Sequence, residues 1–177
     1  MCLVYAAVGA FFAWGLSAPE LDRVWTLHHE LKSGRIGAPS SRDRDVLTRS
    51  MARHPELAAA LLREETEIGL ISSNMEGWLG SAEATIVRTP KAAASAIQIE
   101  IASPDALLPM TVELDGPGFK EKRELTTRGV HSIPLPAAKG ASELIVLRLR
   151  GRAEHAEPSV LGVRVSFGEA KPGSAGG

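Results

Sequence analysis

The chain has little of three things that help to assign a function: cysteine, aromatic side chains and net charge. Of its 177 residues one is cysteine, 5% are aromatic, and the formal net charge is −1. A single cysteine excludes an internal disulfide and a cysteine-based zinc site. A chain whose charges nearly cancel has no long-range field to attract phosphate backbones, so we expect no nucleic-acid partner.

What is present is typical of a folded protein. Hydrophobic residues make up 44% of the chain and charged residues 23%, a balance that excludes disorder throughout. The length suits one globular domain of ordinary size with a further segment attached.

The apolar residues are concentrated at the amino terminus. Cys2 to Ala18 contains no charged residue, its one clearly polar side chain is Ser17, and the first charge is Glu20. A helix needs roughly 20 apolar residues to cross a bilayer, with about 17 as the lower limit. We therefore predict a membrane anchor helix over residues 1–18.

Three other interpretations of this run stay open. A cleaved signal peptide fits poorly, because no basic residue precedes the run and Leu16-Ser17-Ala18 departs from the Ala-x-Ala pattern. A buried core helix, or the last span of a larger membrane protein, would also be apolar. Tyr5, Trp14 and Trp25 suit the interfacial belts of a bilayer, which favours an uncleaved anchor.

Residues 19–66 are predicted to form a helical neck. Glu20 to Lys32 has apolar side chains at helical spacing. Ser40 followed three residues later by Asp43 has the spacing of a capping box, and Pro55 suits the first turn of a further helix. We therefore expect a short helical hairpin.

From about Gly77 onward the period changes from helical to alternating, as in half-buried strands, and the predicted β-sandwich domain spans residues 67–169. The candidate strands are Ala84–Arg88, Ile97–Ile101, Met110–Leu114, Phe119–Leu125, Val130–Leu135, Glu143–Arg150 and Val163–Phe167. Turn residues separate them, and no helical pattern intervenes, so the pattern predicts an antiparallel β-sandwich. The fold class is thus α+β: a hydrophobic helix and a helical hairpin, then a sandwich of about seven strands. The tail, residues 170–177, is predicted to be disordered.

Short motifs across this half suggest a relationship. They are Glu67-Ile68-Gly69, Gly77-Trp78, Ala84-Thr85-Ile86-Val87 and Leu161-Gly162-Val163-x-Val165. In this order, from Glu67 to Phe167, the chain resembles the jelly-roll-like β-sandwich modules attached to bacterial membrane glycosyltransferases and surface-polysaccharide proteins. The resemblance implies a single-pass membrane protein whose sandwich lies on the extracytoplasmic side and works on or near glycans. The chain departs from sugar-binding modules in having few aromatic side chains in this half.

Three arginines and one tryptophan are the candidate residues for binding a ligand or partner. They are Arg148, Arg150, Arg164 and Trp78. If the strand 143–150 pairs with the strand 160–167, the three guanidinium groups share one face and can bind carboxylate or phosphate groups bidentately. The alternative is a solvated face neutralised by nearby glutamates.

The sequence offers no catalytic residue, metal ligand set or cofactor motif that we assign. The carboxylates considered for acid–base chemistry are Glu76, Glu83, Glu100, Glu113 and Asp115. Glu100 and Glu113 alternate with apolar residues, which is typical of a solvated sheet face, although they would share that face if their strands were neighbours. His28-His29-Glu30 lacks the i, i+4 spacing of a zinc helix.

Two functional hypotheses follow. The sequence favours a non-catalytic docking or accessory module for a membrane complex or a cell-envelope glycan. The alternative is a small hydrolase or transferase that uses carboxylates of the sandwich on an envelope polymer, and it predicts a concave pocket with convergent acids.

Overall fold

The structure, a computed structural model, describes residues 18–62, 66–71, 73–74, 76–102, 108–151 and 162–169. The predicted anchor run up to residue 17 and the predicted tail from residue 170 lie outside the described residues. Within the described part of the chain there are three helices and eight strands. The helices are α1 (Ala18–Lys32), α2 (Ser41–Arg53) and α3 (Pro55–Leu61).

The helices begin where the sequence predicts. The Ser40 hydroxyl accepts a hydrogen bond from the Asp43 backbone N–H at 3.2 Å, which satisfies one of the free amides at the start of α2. Pro55 occupies the first turn of α3, where its missing N–H costs nothing. Arg23 of α1 donates two hydrogen bonds to the Asp43 carboxylate, at 3.0 and 2.9 Å, and so ties α1 to the start of α2.

The strands form two antiparallel sheets. They are β1 (Ile68–Ile71), β2 (Glu83–Arg88), β3 (Ala96–Ile101), β4 (Met110–Gly116), β5 (Phe119–Leu125), β6 (Gly129–Pro134), β7 (Glu143–Arg150) and β8 (Val163–Gly168). A five-stranded sheet has the order β1-β2-β7-β4-β5, and a three-stranded sheet has the order β6-β3-β8.

The two sheets pack face to face around one apolar core. Ile97 and Ile99 of the three-stranded sheet belong to the same buried cluster as Ile86, Leu114 and Leu147 of the five-stranded sheet. This arrangement is the α+β sandwich that the alternating pattern predicts, because each strand sends every second side chain into the core.

The helices cover the opposite face of the five-stranded sheet. Ile71, Val87 and Leu144 from this sheet are buried in the same cluster as Leu27 and Leu47 of the helices. β2 and β7 are therefore buried on both faces, and they contain nearly continuous apolar runs for that reason. The molecule has three layers, with the five-stranded sheet in the middle.

A buried ion pair joins β2 to β7. Arg88 and Glu143 are directly opposite each other in the ladder, and their side chains are 3% and 6% exposed. Arg88 Nε donates to Glu143 Oε1 at 2.8 Å, Arg88 Nη2 donates to the same oxygen, and Arg88 Nη1 donates to the Pro136 carbonyl at 2.7 Å. Each of the two residues lies an even number of positions from the core-facing residues of its strand, so both side chains are on the sandwich side of the sheet. The pair therefore lies at the rim of the sandwich core.

All seven predicted strands are present, and the structure adds an eighth, β1. The sequence analysis missed it because Ile-Gly-Leu-Ile is short and does not alternate. The expected pairing of strand 143–150 with strand 160–167 is wrong: β7 pairs with β2 and β4, and β8 pairs with β3. No helix in the described part of the chain has both the length and the apolar content needed to cross a bilayer.

Candidate functional site

Trp78 and Arg164, two of the predicted binding residues, lie side by side. A short strap, defined here as residues 73–74 and 76–79, follows β1 and bridges across to β8 through Trp78 and Arg164. Val165 donates its backbone N–H to the Gly77 carbonyl at 2.9 Å, and Leu79 donates to the Val163 carbonyl at 2.9 Å. The strap therefore connects the edge of the five-stranded sheet to the edge of the three-stranded sheet.

The local sequence explains the shape of the strap. The Asn74 side-chain oxygen accepts hydrogen bonds from the backbone N–H groups of Glu76 at 3.0 Å and Trp78 at 2.9 Å, and so closes the turn. Gly77 has φ +86°, a conformation that favours glycine, and a Cβ there would overlap the Val165 carbonyl oxygen. The turn holds Trp78 beside Arg164 because only a glycine lets the two backbones approach this closely.

Arg164 itself is held by two contacts at the surface. Its Nε donates to the Glu76 carbonyl at 2.9 Å, and its Nη1 lies 3.5 Å from Glu100 Oε2. Cross-strand neighbours share a face, so Trp78, Arg164 and Glu100 lie together on the outer face of the three-stranded sheet.

Arg148 belongs to a row of alternating charge on the other sheet. The ladder aligns Glu83, Arg148, Glu113 and Lys122 across β2, β7, β4 and β5. Arg148 Nε is 3.1 Å from Glu83 Oε1, and Lys122 Nζ is 3.4 Å from Glu113 Oε1. Opposite charges directly across a sheet stabilise the pairing, so Arg148 contributes to the pairing of β2, β7 and β4.

Asp115 connects this charged row to the helices. Its carboxylate is 2.9 Å from Arg44 Nη1 of α2 and 3.6 Å from Arg148 Nη1. Burial opposes ionisation of Asp115, but the hydrogen bond and charge of Arg44, helped by Lys120 and Arg148, outweigh it and hold the pKa of Asp115 below its ordinary value. The charged form of this carboxylate is therefore favoured in the folded chain.

Replacing Asp115 with Asn is expected to lower the free energy of unfolding at pH 7 by about 1 kcal/mol, the upper end for a partly exposed ion pair. A carboxyl whose pKa is lowered by folding stabilises the fold above its unfolded pKa of about 3.9, and this contribution is lost as the pH falls through the lower folded value. Urea unfolding at pH 7 and pH 3 measures the difference between wild type and D115N. We expect the difference to shrink at pH 3, whereas D22N, at an exposed carboxylate on α1, changes little at either pH.

The structure thus separates the three arginines of the sequence prediction. Arg148 and Arg150 lie on β7 in the middle sheet, and Arg164 lies on β8 in the outer one. Arg150 is exposed at the end of β7, opposite Thr111 in the ladder. A shared face of three guanidinium groups is not formed, because β7 and β8 belong to different sheets.

The carboxylates considered for catalysis divide between the two sheets: Glu83, Glu113 and Asp115 lie around Arg148 on the five-stranded sheet, and Glu100 lies on the three-stranded sheet. Glu100 lies on β3 and Glu113 on β4, in different sheets, so they do not share a sheet face. Glu83, Glu100, Glu113 and Asp115 each lie within ion-pair distance of an arginine or a lysine. Among the described residues, no group of three or more His, Cys, Asp and Glu side chains could hold a metal ion.

A cleft opens beside the strap, and the sequence analysis did not find it. This edge cleft has a volume of about 710 Å³ and lies between β1 and β8, the edge strands of the two sheets. Ile68 and Phe167 are among its apolar lining residues, and Glu67, Asn74 and Glu76 are among the polar ones. The signal available in the sequence was the Asn-x-x-Gly turn just after a short apolar segment, which indicates a bend at a strand end.

Compared with known proteins, the chain matches no protein-family model and no curated protein.

Proposed function

We propose that the chain is a non-catalytic accessory module, anchored in a membrane through residues 1–18, whose sandwich lies on the extracytoplasmic side and docks to a component of a membrane complex or of the cell envelope. The observation that carries the proposal is the edge cleft. Its walls are two strand edges and the strap, which is a construction suited to holding a partner.

The charges support a docking role over the hydrolase or transferase alternative. An acid–base pair needs two carboxylates held together in a cleft, with one of them free to take up a proton. Four of the five carboxylates considered for this role are engaged by cations, as in the contacts of Glu83 with Arg148 and of Glu113 with Lys122. Such pairs occupy the carboxylates and contribute to strand pairing.

The anchoring part of the proposal rests on the uncharged run and on where α1 begins. The described part of α1 starts at Ala18, the last residue of that run. The helical layer packs directly on the five-stranded sheet through Val87 and Leu144, so a helix attached to the run also carries the sandwich. Trp25 of α1 is 56% exposed, as expected for a side chain at the level of the lipid headgroups.

Membrane fractionation tests the anchor. We expect the full-length chain to remain with membranes after an alkaline wash. A G9D/A13R variant should appear in the soluble fraction, since each charge costs about 2.5–3.5 kcal/mol in a spanning helix. G9L/A13L is the matched control and should stay with the membranes. Recovery of the wild-type chain in the soluble fraction prepared from cells would overturn the proposal.

The orientation has its own readout. Protease added outside intact cells should cut the sandwich of the anchored chain and leave a cytoplasmic reporter protein untouched. Cleavage that appears only after the membrane is opened would contradict the extracytoplasmic location.

A further inference from the structure

One wall of the edge cleft is the free edge of β1. Thr89 donates its backbone N–H to the Glu67 carbonyl at 2.9 Å, which extends the β1–β2 ladder by one pair. In an antiparallel ladder every second residue exchanges its backbone hydrogen bonds with the partner strand. Glu67, Gly69 and Ile71 therefore turn their backbone groups toward β2. Ile68 and Leu70 present theirs to the cleft.

The opposite wall is the free end of β8. Ala102 donates to the Gly162 carbonyl at 2.9 Å, which fixes the alternation of the β3–β8 ladder. Val165 and Phe167 consequently turn their backbone groups away from β3. The strap satisfies the N–H of Val165, but it ends before Phe167. Both walls of the cleft are thus strand edges that no other strand of the described residues covers. The strap contacts Val163 and Val165 on one wall, and Ser73 Oγ donates to the Leu70 carbonyl at 3.4 Å on the other.

The side chains around the cleft have one sign of charge. Glu67 and Glu76 are its charged residues, and no Lys or Arg occurs among the described residues that line it. Ile68 and Leu70 alternate toward the sandwich core, together with the partly buried Phe167. Glu67 lies on the opposite face of β1, which is the face that the helices cover.

We propose that the edge cleft binds an extended, basic segment of a partner protein, which pairs with the free edge of β1 as an added strand. Backbone hydrogen bonds to Ile68 and Leu70 supply affinity, as in other cases of strand addition. Side chains of an added strand alternate between the two faces. Apolar ones would therefore lie toward Ile68 and Phe167, and basic ones would lie toward Glu67. This inference rests on the proposed docking function and names its partner class.

Charge complementarity selects this occupant over an anionic glycan or a phosphate, because Glu67 and Glu76 are the charged lining residues and the adjacent Arg164 is itself engaged by Glu100. The small residues of the wall favour a backbone as the ligand. Gly69 and Ala94 leave room for a chain to approach the edge of β1.

A binding titration tests the proposal on the full-length chain in detergent micelles. The probe is a capped peptide of alternating valine and lysine, and the readouts are its fluorescence anisotropy and the backbone amide shifts of Ile68 and Leu70. We expect saturable binding with shifts at both amides. The E67K/E76K variant should bind about tenfold more weakly, because two attractive charges become repulsive. E56K/E124K, with the same change in net charge away from the cleft, should bind as wild type does.

A second peptide separates strand addition from charge attraction. N-methylation of alternate backbone nitrogens preserves the side chains and charges but removes the N–H donors that pair with a strand edge. We expect this peptide not to bind. Equal binding of the methylated peptide, equal binding by E67K/E76K, or amide shifts produced by a neutral oligosaccharide and not by the peptide would each overturn the proposal. The membrane and protease experiments do not depend on this outcome, so failure of the cleft proposal is distinguishable from failure of the accessory function.

Discussion

Replacing Glu143 with Leu is expected to lower the free energy of unfolding by about 3–5 kcal/mol, the cost of leaving a buried charge without its partner. Arg88 is 3% exposed, so water cannot solvate its guanidinium once the carboxylate is gone. The Pro136 carbonyl would remain as its one described acceptor. Urea unfolding of the full-length chain in detergent micelles measures the change.

The double variant R88M/E143L is the informative control. It removes both charges together and leaves two apolar side chains at the rim of the sandwich core. Replacing a whole buried ion pair by apolar residues is often neutral or stabilising, so we expect the double variant to recover wild-type stability or exceed it. E83Q, which breaks the more exposed pair with Arg148, should cost about 0–1 kcal/mol. A double variant as unstable as E143L alone would contradict this explanation.

Replacing Leu47 with Ala is expected to lower the free energy of unfolding by about 2–5 kcal/mol, with the whole described fold still unfolding in one transition. Leu47 is fully buried in the helical layer. The cavity would lie in the cluster that also contains Ile71, Val87 and Leu144 of the five-stranded sheet. Because this cluster is shared, the helices cannot unfold without exposing the sheet to water.

Two tryptophans report on the two parts separately. In a W14F/W78F background the fluorescence of Trp25 follows α1, and in a W14F/W25F background that of Trp78 follows the strap. We expect L47A to shift both urea midpoints equally. V130A, at a side chain that is 62% exposed, should stay within about 0.5 kcal/mol of wild type. Separate midpoints for the two reporters would show that the helices and the sandwich unfold independently.

Local patterns predicted the elements well, and they failed on long-range relations. The Ser40 cap, the Pro55 helix start and the seven predicted strands depend on neighbours in sequence, so their spacing identifies them. Strand partners depend on how the whole chain packs. The expected neighbour of β7 was β8, but the core places β2 and β4 on either side of it.

The site residues show the same division. Glu143 and Arg88 lie 55 residues apart, and no short motif connects them. The sequence did contain a signal that both charges are buried, because each lies two residues from an apolar core residue of its strand, Ile86 or Ile145. It is hard to use because the middle sheet is apolar on both faces. The edge cleft arises only where β1 meets β8, so the sequence could indicate the turn at Asn74 without indicating what the turn encloses.

The far edge of the five-stranded sheet, strand β5, affects how the molecule resists aggregation. β5 carries a lysine or a glutamate at each of its exposed positions, and Glu121 and Arg123 pair at 2.7 Å on the side that faces the sandwich. A second molecule that paired with this edge would have to desolvate these charges. Charged edge strands are a known protection against edge-to-edge aggregation. β1 has no such charges within its four residues. Resistance to aggregation is therefore distributed unequally over the molecule: the charged side chains of β5 make pairing with another copy costly, whereas the four residues of β1 carry no such protection.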